Sequence, residues 1–347
     1  MKILFYLSKS YSIPIVEPLV KKFNREGIEF AFLVSKKVHN NLPEYWEEFE
    51  IFTFLGEAIA YSADFVICPG NFVDYRLPGI KVEIFHGLGV EKPSHYKIRH
   101  FFDLYLTSGP YVTEKFNKLQ AKYKYFMVRE TGWPKVDHII NYPTQNLKQK
   151  LGLPDNKKII LFAPTHSTKM QSASALMPII PKQIAKDEIW LVKFHELMNK
   201  EIIGKFAIAH PQIQIINSND ITPYLHASDL MISDTSSVIY EFMVLDKPII
   251  TYKTQARADK GINIDSPEEL RPAINRCLEN PNEFSANRQK HLAEINPYLD
   301  GNISGRIIET LTDVMQNDLI PKKRKPLNLV RKMQLHYHEK FKKGYMR

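Results

Sequence analysis

The sequence predicts an α/β protein built of two doubly wound halves, each a parallel sheet flanked by helices. Short apolar runs recur through the chain, helical patterns stand between them, and a polar stretch over 141–150 separates two cycles of that alternation. A chain of 347 residues also exceeds what one hydrophobic core usually organises, which favours two domains. Its hydrophobic share of 44% and aromatic share of 12% are those of a globular chain and exclude a disordered or collagen-like one.

Residues 2–7 read as a buried strand, 14–26 as an amphipathic helix closed by Gly27, and 28–34 as a second strand, a βαβ start. Further apolar runs at 65–68, 81–85 and 104–108 continue the sheet, each followed by a glycine turn or a helical pattern. A new cycle opens with 158–163 and runs through 189–194, 213–216, 230–233 and 248–252, and 303–318 reads as a long closing helix. The predicted division is 1–145, an acceptor-side domain, 146–318, a nucleotide-donor domain, and 319–347, a basic amphipathic tail. Two such halves with a cleft at the carboxyl ends of their strands describe the GT-B architecture.

Cys68 and Cys277 are the only cysteines, so no disulfide framework or cysteine-based metal site follows. The opening apolar run is too short for a signal peptide and no run of about 18 apolar residues occurs, which predicts a cytoplasmic protein. The formal charge of +9 is concentrated after Pro321, where Lys322, Lys323, Arg324, Lys325, Arg331, Lys332, Lys340, Lys342, Lys343 and Arg347 meet the single acid Glu339. Interleaved Leu327, Leu329, Val330, Met333, Leu335, Tyr337 and Phe341 favour a helix lying on an anionic membrane surface, placing the protein peripherally on the inner face of the membrane. A solvated basic terminus is the alternative, and no nucleic-acid partner is expected.

The segment 230–252 carries the strongest chemical signal. An apolar strand ends at Ser233, Asp234, Thr235, Ser236 and Ser237 follow, and 238–245 continues as a helix. Hydroxyls and unpaired N–H groups then meet the positive end of a helix dipole, as a diphosphate requires. The plainer alternative is that Asp234 or Thr235 only caps a structural helix. Glu241, one turn inside, has the chemistry to accept two hydrogen bonds from a ribose, against a surface glutamate as the alternative. His86 with Gly87 and Gly89 follows an apolar strand, so an imidazole at a strand end is placed to take a proton from an attacking hydroxyl, although such a pair is often structural. His195, after Lys193, closes a strand of the second half and would stabilise charge on phosphate oxygens. Thr165 and His166 end a further strand and line the same cleft, and Ser108 and Gly132 belong to turns that are either architectural or cleft loops. No metal-binding spacing and no dinucleotide-binding glycine fingerprint occurs, so neither a metal nor a cofactor is expected.

Taken together these segments resemble the CDP-glycerol glycerophosphotransferase family, which builds teichoic acids and related capsular polymers. The resemblance rests on His86-Gly87 with Lys92, Thr107-Ser108-Gly109, Gly132-Trp133-Pro134-Lys135-Val136-Asp137 and Leu161-Phe162-Ala163-Pro164-Thr165. It continues through Lys193-Phe194-His195, Tyr224-Leu225 with Asp229, Ser233 to Ser237, Asp246-Lys247-Pro248-Ile249-Ile250 and Asp300-Gly301. It implies a GT-B fold, a CDP-linked polyol donor, a polymeric or lipid-linked glycan acceptor, and attack by the acceptor hydroxyl on the donor's β-phosphorus with release of CMP. It further implies His86 as general base, His195 as its phosphate-stabilising partner, and Ser236 with Ser237 as the phosphate cradle. Three positions depart from the family's pattern: Glu196 stands where proline is usual, Lys92 comes one residue late, and Glu241 replaces an aspartate. The last of these keeps open a nucleotide-sugar donor, used by a glycosyltransferase or a related epimerase.

Overall fold

A computed structural model describes residues 1–167 and 171–341, with 336 and 338–341 described by their backbone alone. Lys342, Lys343 and Arg347 of the basic tail lie outside the described residues. The chain divides into two compact units, one of residues 1–86, 92–138 and 295–347, the other of residues 87–91 and 139–294.

The first unit holds a seven-stranded sheet in the order β3-β2-β1-β4-β5-β6-β7. Its strands are β1 (Lys2–Leu7), β2 (Glu29–Val34), β3 (Glu50–Phe52), β4 (Phe65–Cys68), β5 (Ile80–Glu83), β6 (Leu104–Thr107) and β7 (Met127–Glu130). Every pairing is parallel, beginning with Lys2 opposite Glu29 and Ile3 opposite Phe65. Runs such as Phe65–Cys68 are buried throughout because helices cover both faces of a parallel sheet. The second unit holds a six-stranded parallel sheet, β10-β9-β8-β11-β12-β13. These strands are β8 (Lys158–Phe162), β9 (Glu188–Val192), β10 (Ile213–Ile215), β11 (Leu230–Ser233), β12 (Ile249–Tyr252) and β13 (Ile262–Ile264). Ile160, Phe162, Trp190, Val192, Leu230, Ile232 and Ile250 form its core with Ala273, Ile274 and Cys277 of the helix Leu270–Glu279.

These compact units are bounded differently from the expected division in two places. The first unit ends at His138, and the chain returns to it at Ile295, so the closing helix Ile303–Gln316 belongs to the first unit and not to the second. The cause is Asp137, whose buried carboxylate accepts from Ile303 N at 2.8 Å, Ser304 N at 2.7 Å and Ser304 Oγ at 2.8 Å, capping that helix from 166 residues away. Gly132 packs in the same region at φ +91°, where a Cβ would lie 2.8 Å from Ile303 Cγ1, so only glycine fits. The tail is likewise fastened to the first unit. Lys325 Nζ pairs with Asp103 Oδ1 at 2.6 Å, and Asn328 Nδ2 donates to Arg99 O at 2.9 Å before the helix Leu329–Phe341 begins. Leu335 is buried there, whereas Val330, Met333 and Tyr337, spaced three and four residues apart on one helix face, stay about 60% exposed. No helix among the described residues is long and apolar enough to cross a membrane.

Candidate functional site

In the second unit the strand order reverses between β8 and β11: the chain winds outward through β9 to β10, then returns to the other side of β8 and winds outward to β13. Loops leaving the carboxyl ends of β8 and β11 therefore diverge, which is where open α/β sheets accept ligands. Ser233 Oγ, at the end of β11, donates to Ala163 O at 2.6 Å and ties those two ends together.

Asp234 is fully buried (0% exposed). Its carboxylate accepts from Thr165 N at 2.9 Å, Ser172 N at 2.8 Å and Ser172 Oγ at 2.8 Å, and its carbonyl accepts from Thr254 Oγ1 at 2.9 Å. One residue thus laces the loops after β8, β11 and β12. Burial pushes its carboxyl pKa upward, and the hydrogen bonds from Ser172 and Thr165 oppose that shift. The sequence grouped Asp234 and Thr165 with the donor contacts; the structure turns the Asp234 carboxylate inward and commits the Thr165 N–H to it.

The neighbouring side chains are arranged differently. The rings of His166 and His195 stack with centroids 4.0 Å apart. Leu197 N donates to His195 Nδ1 at 3.1 Å, which makes Nδ1 an acceptor and leaves the ring proton of the neutral imidazole on Nε2. Thr235 Oγ1 and His166 Nδ1 are both buried, and neither has a hydrogen-bond partner among the described residues. Ser236 and Ser237 are half-buried ahead of the helix Val238–Met243, in which Glu241 is buried and not the surface glutamate of the alternative reading. Lys193 Nζ donates to Ser218 O at 2.7 Å and so holds the loop after β10.

Residues 87–91 belong to this unit as well. Gly87 approaches the serine loop so closely that a Cβ there would lie 3.4 Å from Ser237 Oγ, while Gly89 is half-buried. Glu91 accepts from the Tyr240 hydroxyl and from Arg257 Nη1 at 3.1 Å.

In the first unit His86 is exposed beyond β5, its ring 5.8 Å from that of Tyr11. The residue before it, Phe85, takes the left-handed φ of +60°, and buried Trp133 holds its carbonyl through Nε1 at 3.1 Å. The Gly-Trp-Pro motif thus braces the backbone entering His86. His95 stacks on Phe85 at 4.8 Å, and burial, with His86 nearby, drops its pKa to about 3, so this ring stays neutral. Ser108 is buried, and a Cβ on the following Gly109 would lie 2.5 Å from Ile295 O, so that turn serves packing.

A cavity of about 620 Å³ lies at the opposite, amino ends of β11 and β12, lined among others by Lys148, Asp229, Asp246 and Lys247. Its charges are engaged structurally. Lys247 Nζ caps a helix end by donating to the carbonyls of Leu225, His226 and Ser228, and Asp246 Oδ1 accepts from Arg288 Nε at 2.7 Å. Sequence reasoning missed the supporting residues Ser172, Thr254, Tyr240 and Arg257, which carry no local motif and act across 20 to 166 positions.

Comparison with known proteins bears on the fold and the family. The chain is 30% identical over 185 residues to a teichoic acid glycerol-phosphate primase of Bacillus spizizenii, covering 49% of this chain and 47% of that protein. It is 21% identical over 346 residues to a teichoic acid poly(glycerol phosphate) polymerase of Bacillus subtilis, covering 89% of this chain and 44% of that protein. The chain thus spans about half the length of the curated relatives it matches. Among solved structures, the wall teichoic acid polymerase TagF superposes with a TM-score of 0.68 at 16% identity, over 92% of this chain and 89% of that one. A 2-epimerase structure from Listeria monocytogenes, assigned to UDP-N-acetylglucosamine, superposes at 0.65 with 15% identity over 91% and 97%. Both likenesses concern the fold. The sequence signature of the CDP-glycerol:poly(glycerophosphate) glycerophosphotransferases matches residues 89–313, and the chain belongs to that family.

Proposed function

We propose that the protein transfers a polyol phosphate, glycerol phosphate in the first instance, from a CDP-linked donor to a hydroxyl of a teichoic-acid-like or capsular polymer. The observation that carries the reading is the pair of buried atoms Thr235 Oγ1 and His166 Nδ1, in the loops after β11 and β8, neither with a partner among the described residues. Buried polar groups rarely go unpaired, and phosphate oxygens satisfy both a hydroxyl and an imidazole N–H. His195 Nε2–H, Thr235, Ser236 and Ser237 hold the donor's diphosphate, Glu241 takes the ribose hydroxyls, and Asp234 positions the loops without touching the donor.

In the reaction, the acceptor oxygen attacks the β-phosphorus as the bond from that phosphorus to the bridging oxygen breaks, and CMP leaves with the bond's electron pair. His86 Nε2 or Nδ1 takes the acceptor's hydroxyl proton, and His195 offsets charge on the phosphoryl oxygens. Neither role asks for a metal ion.

The test is a panel of CDP-glycerol, CDP-ribitol, UDP-sugars and CMP-sugars with teichoic-acid primers, scored by the nucleotide released. CMP from a CDP-polyol, lost in His86→Ala with donor affinity kept, supports the reading. UDP or CMP released from sugar donors alone would replace it with a glycosyltransferase, the reading kept open by Glu241 in place of the family's aspartate. The exposed face of Val330, Met333 and Tyr337, in a tail rich in Lys and Arg, further supports docking on an anionic membrane surface at the inner face of the cell membrane. Met333→Glu with Val330→Glu should release the protein from anionic vesicles and leave soluble turnover intact; unchanged sedimentation removes the membrane claim.

A further inference from the structure

We propose that Glu91 is a positioning residue for His86: its carboxylate, gripped by Tyr240 and Arg257, fastens the segment following His86 to the helix that the serine loop leads into. This rests on the reading of His86 as the base. The segment is held at several points within the second unit. Gly87 lies against Ser237, Leu88 and Val90 are buried, and Glu91 receives both the Tyr240 hydroxyl and Arg257 Nη1 at 3.1 Å.

Each partner is itself held. Tyr240 is buried in the helix Val238–Met243, next to Glu241. Arg257 adopts φ +49°, a left-handed conformation that a non-glycine residue keeps only when its surroundings over-determine it. Its guanidinium bridges Glu91 and Glu294, the latter at 3.2 Å through Nη2, with only 12% of its side chain exposed. Buried Lys260 closes the turn by donating to the carbonyls of Arg257 at 2.8 Å and Ala256 at 3.3 Å. The clasp has two features that a simple fold staple does not need. It sits on the residues immediately after an exposed histidine, and it grips the helix that follows the serine loop.

An imidazole displaced by about 1 Å can cost a hundredfold in rate without any loss of substrate binding. With CDP-glycerol and primer, Glu91→Ala should lower kcat ten- to a hundredfold while the donor Kd stays within twofold. Tyr240→Phe, which removes one oxygen, should give a smaller fall, and Glu91→Asp should recover part of the loss. The double exchange Glu91→Arg with Arg257→Glu should regain activity that each single change loses. Amide hydrogen exchange over 84–91 should rise in Glu91→Ala, a readout independent of any donor. Unchanged kcat and exchange in Glu91→Ala and Tyr240→Phe, with His86→Ala inactive, would overturn the clasp and spare the transferase reading. Full turnover in His86→Ala would instead remove the base that the clasp serves.

Discussion

Replacing Asp234 by alanine would leave Thr165 N–H, Ser172 N–H and Ser172 O–H without an acceptor in a buried setting. Each donor so stranded costs about 1–3 kcal/mol, and partial relaxation of the serine hydroxyl brings the expected total to roughly 3–6 kcal/mol. For a domain of this size class each kcal/mol lowers Tm by roughly 2–4 °C, so the midpoint should fall by roughly 6–24 °C. Asp234→Asn should cost less, because one oxygen remains while the amide NH2 opposes an N–H donor. Scanning calorimetry of the full chain reads the stability, and titration with CDP reads the loops: affinity should drop at least tenfold in the alanine variant at a temperature where it is folded. A Tm within about 2 °C of the parent, with unchanged CDP affinity, would refute the assignment of Asp234 as the brace of three loops.

Trp133→Phe removes the N–H that holds Phe85 O, at a cost of about 1–3 kcal/mol, and should lower kcat more than donor affinity because Phe85 precedes His86; equal losses in both would contradict a role in the His86 loop. Glu83 is buried, and burial pushes its carboxyl pKa up to about 8 against the pull of Arg99, whereas an unfolded glutamate titrates near 4.5. A raised folded pKa means stability that is full below the unfolded pKa and is lost as pH rises toward 8. The neutral mimic Glu83→Gln should therefore gain stability over the parent progressively from about pH 4.5 to about pH 8, up to about 5 kcal/mol; a difference that does not change with pH would sink it.

The sheets were legible because the part of a strand buried on both faces is a continuous apolar run, as in 3–7, Phe65–Cys68 and 230–232. Strands β3, β7 and β13 escaped notice: they are edge strands of three or four residues that mix Glu50, Arg129, Glu130 or Asn263 into the run. The closing helix was visible from its periodicity, but its membership of the first unit depends on Asp137 reaching Ser304 across 167 positions, and no local pattern encodes that. The same limit governs the candidate site. A tetrad of capping residues after a strand has the local chemistry that suits an anion, yet Ser172 and Thr254, distant in sequence, turn Asp234 inward. The Asp246-Lys247-Pro248 segment, part of the family resemblance, has a structural use: its ammonium closes the end of a helix.

The most direct measurement is a crystal structure of the protein with CDP or CDP-glycerol bound. The account predicts diphosphate oxygens within hydrogen-bond distance of His195 Nε2 and Thr235 Oγ1, with His166 Nδ1 acquiring a partner. A diphosphate seated in the cavity beside Lys148 and Lys247, with Thr235 and His166 still unpartnered, would contradict it.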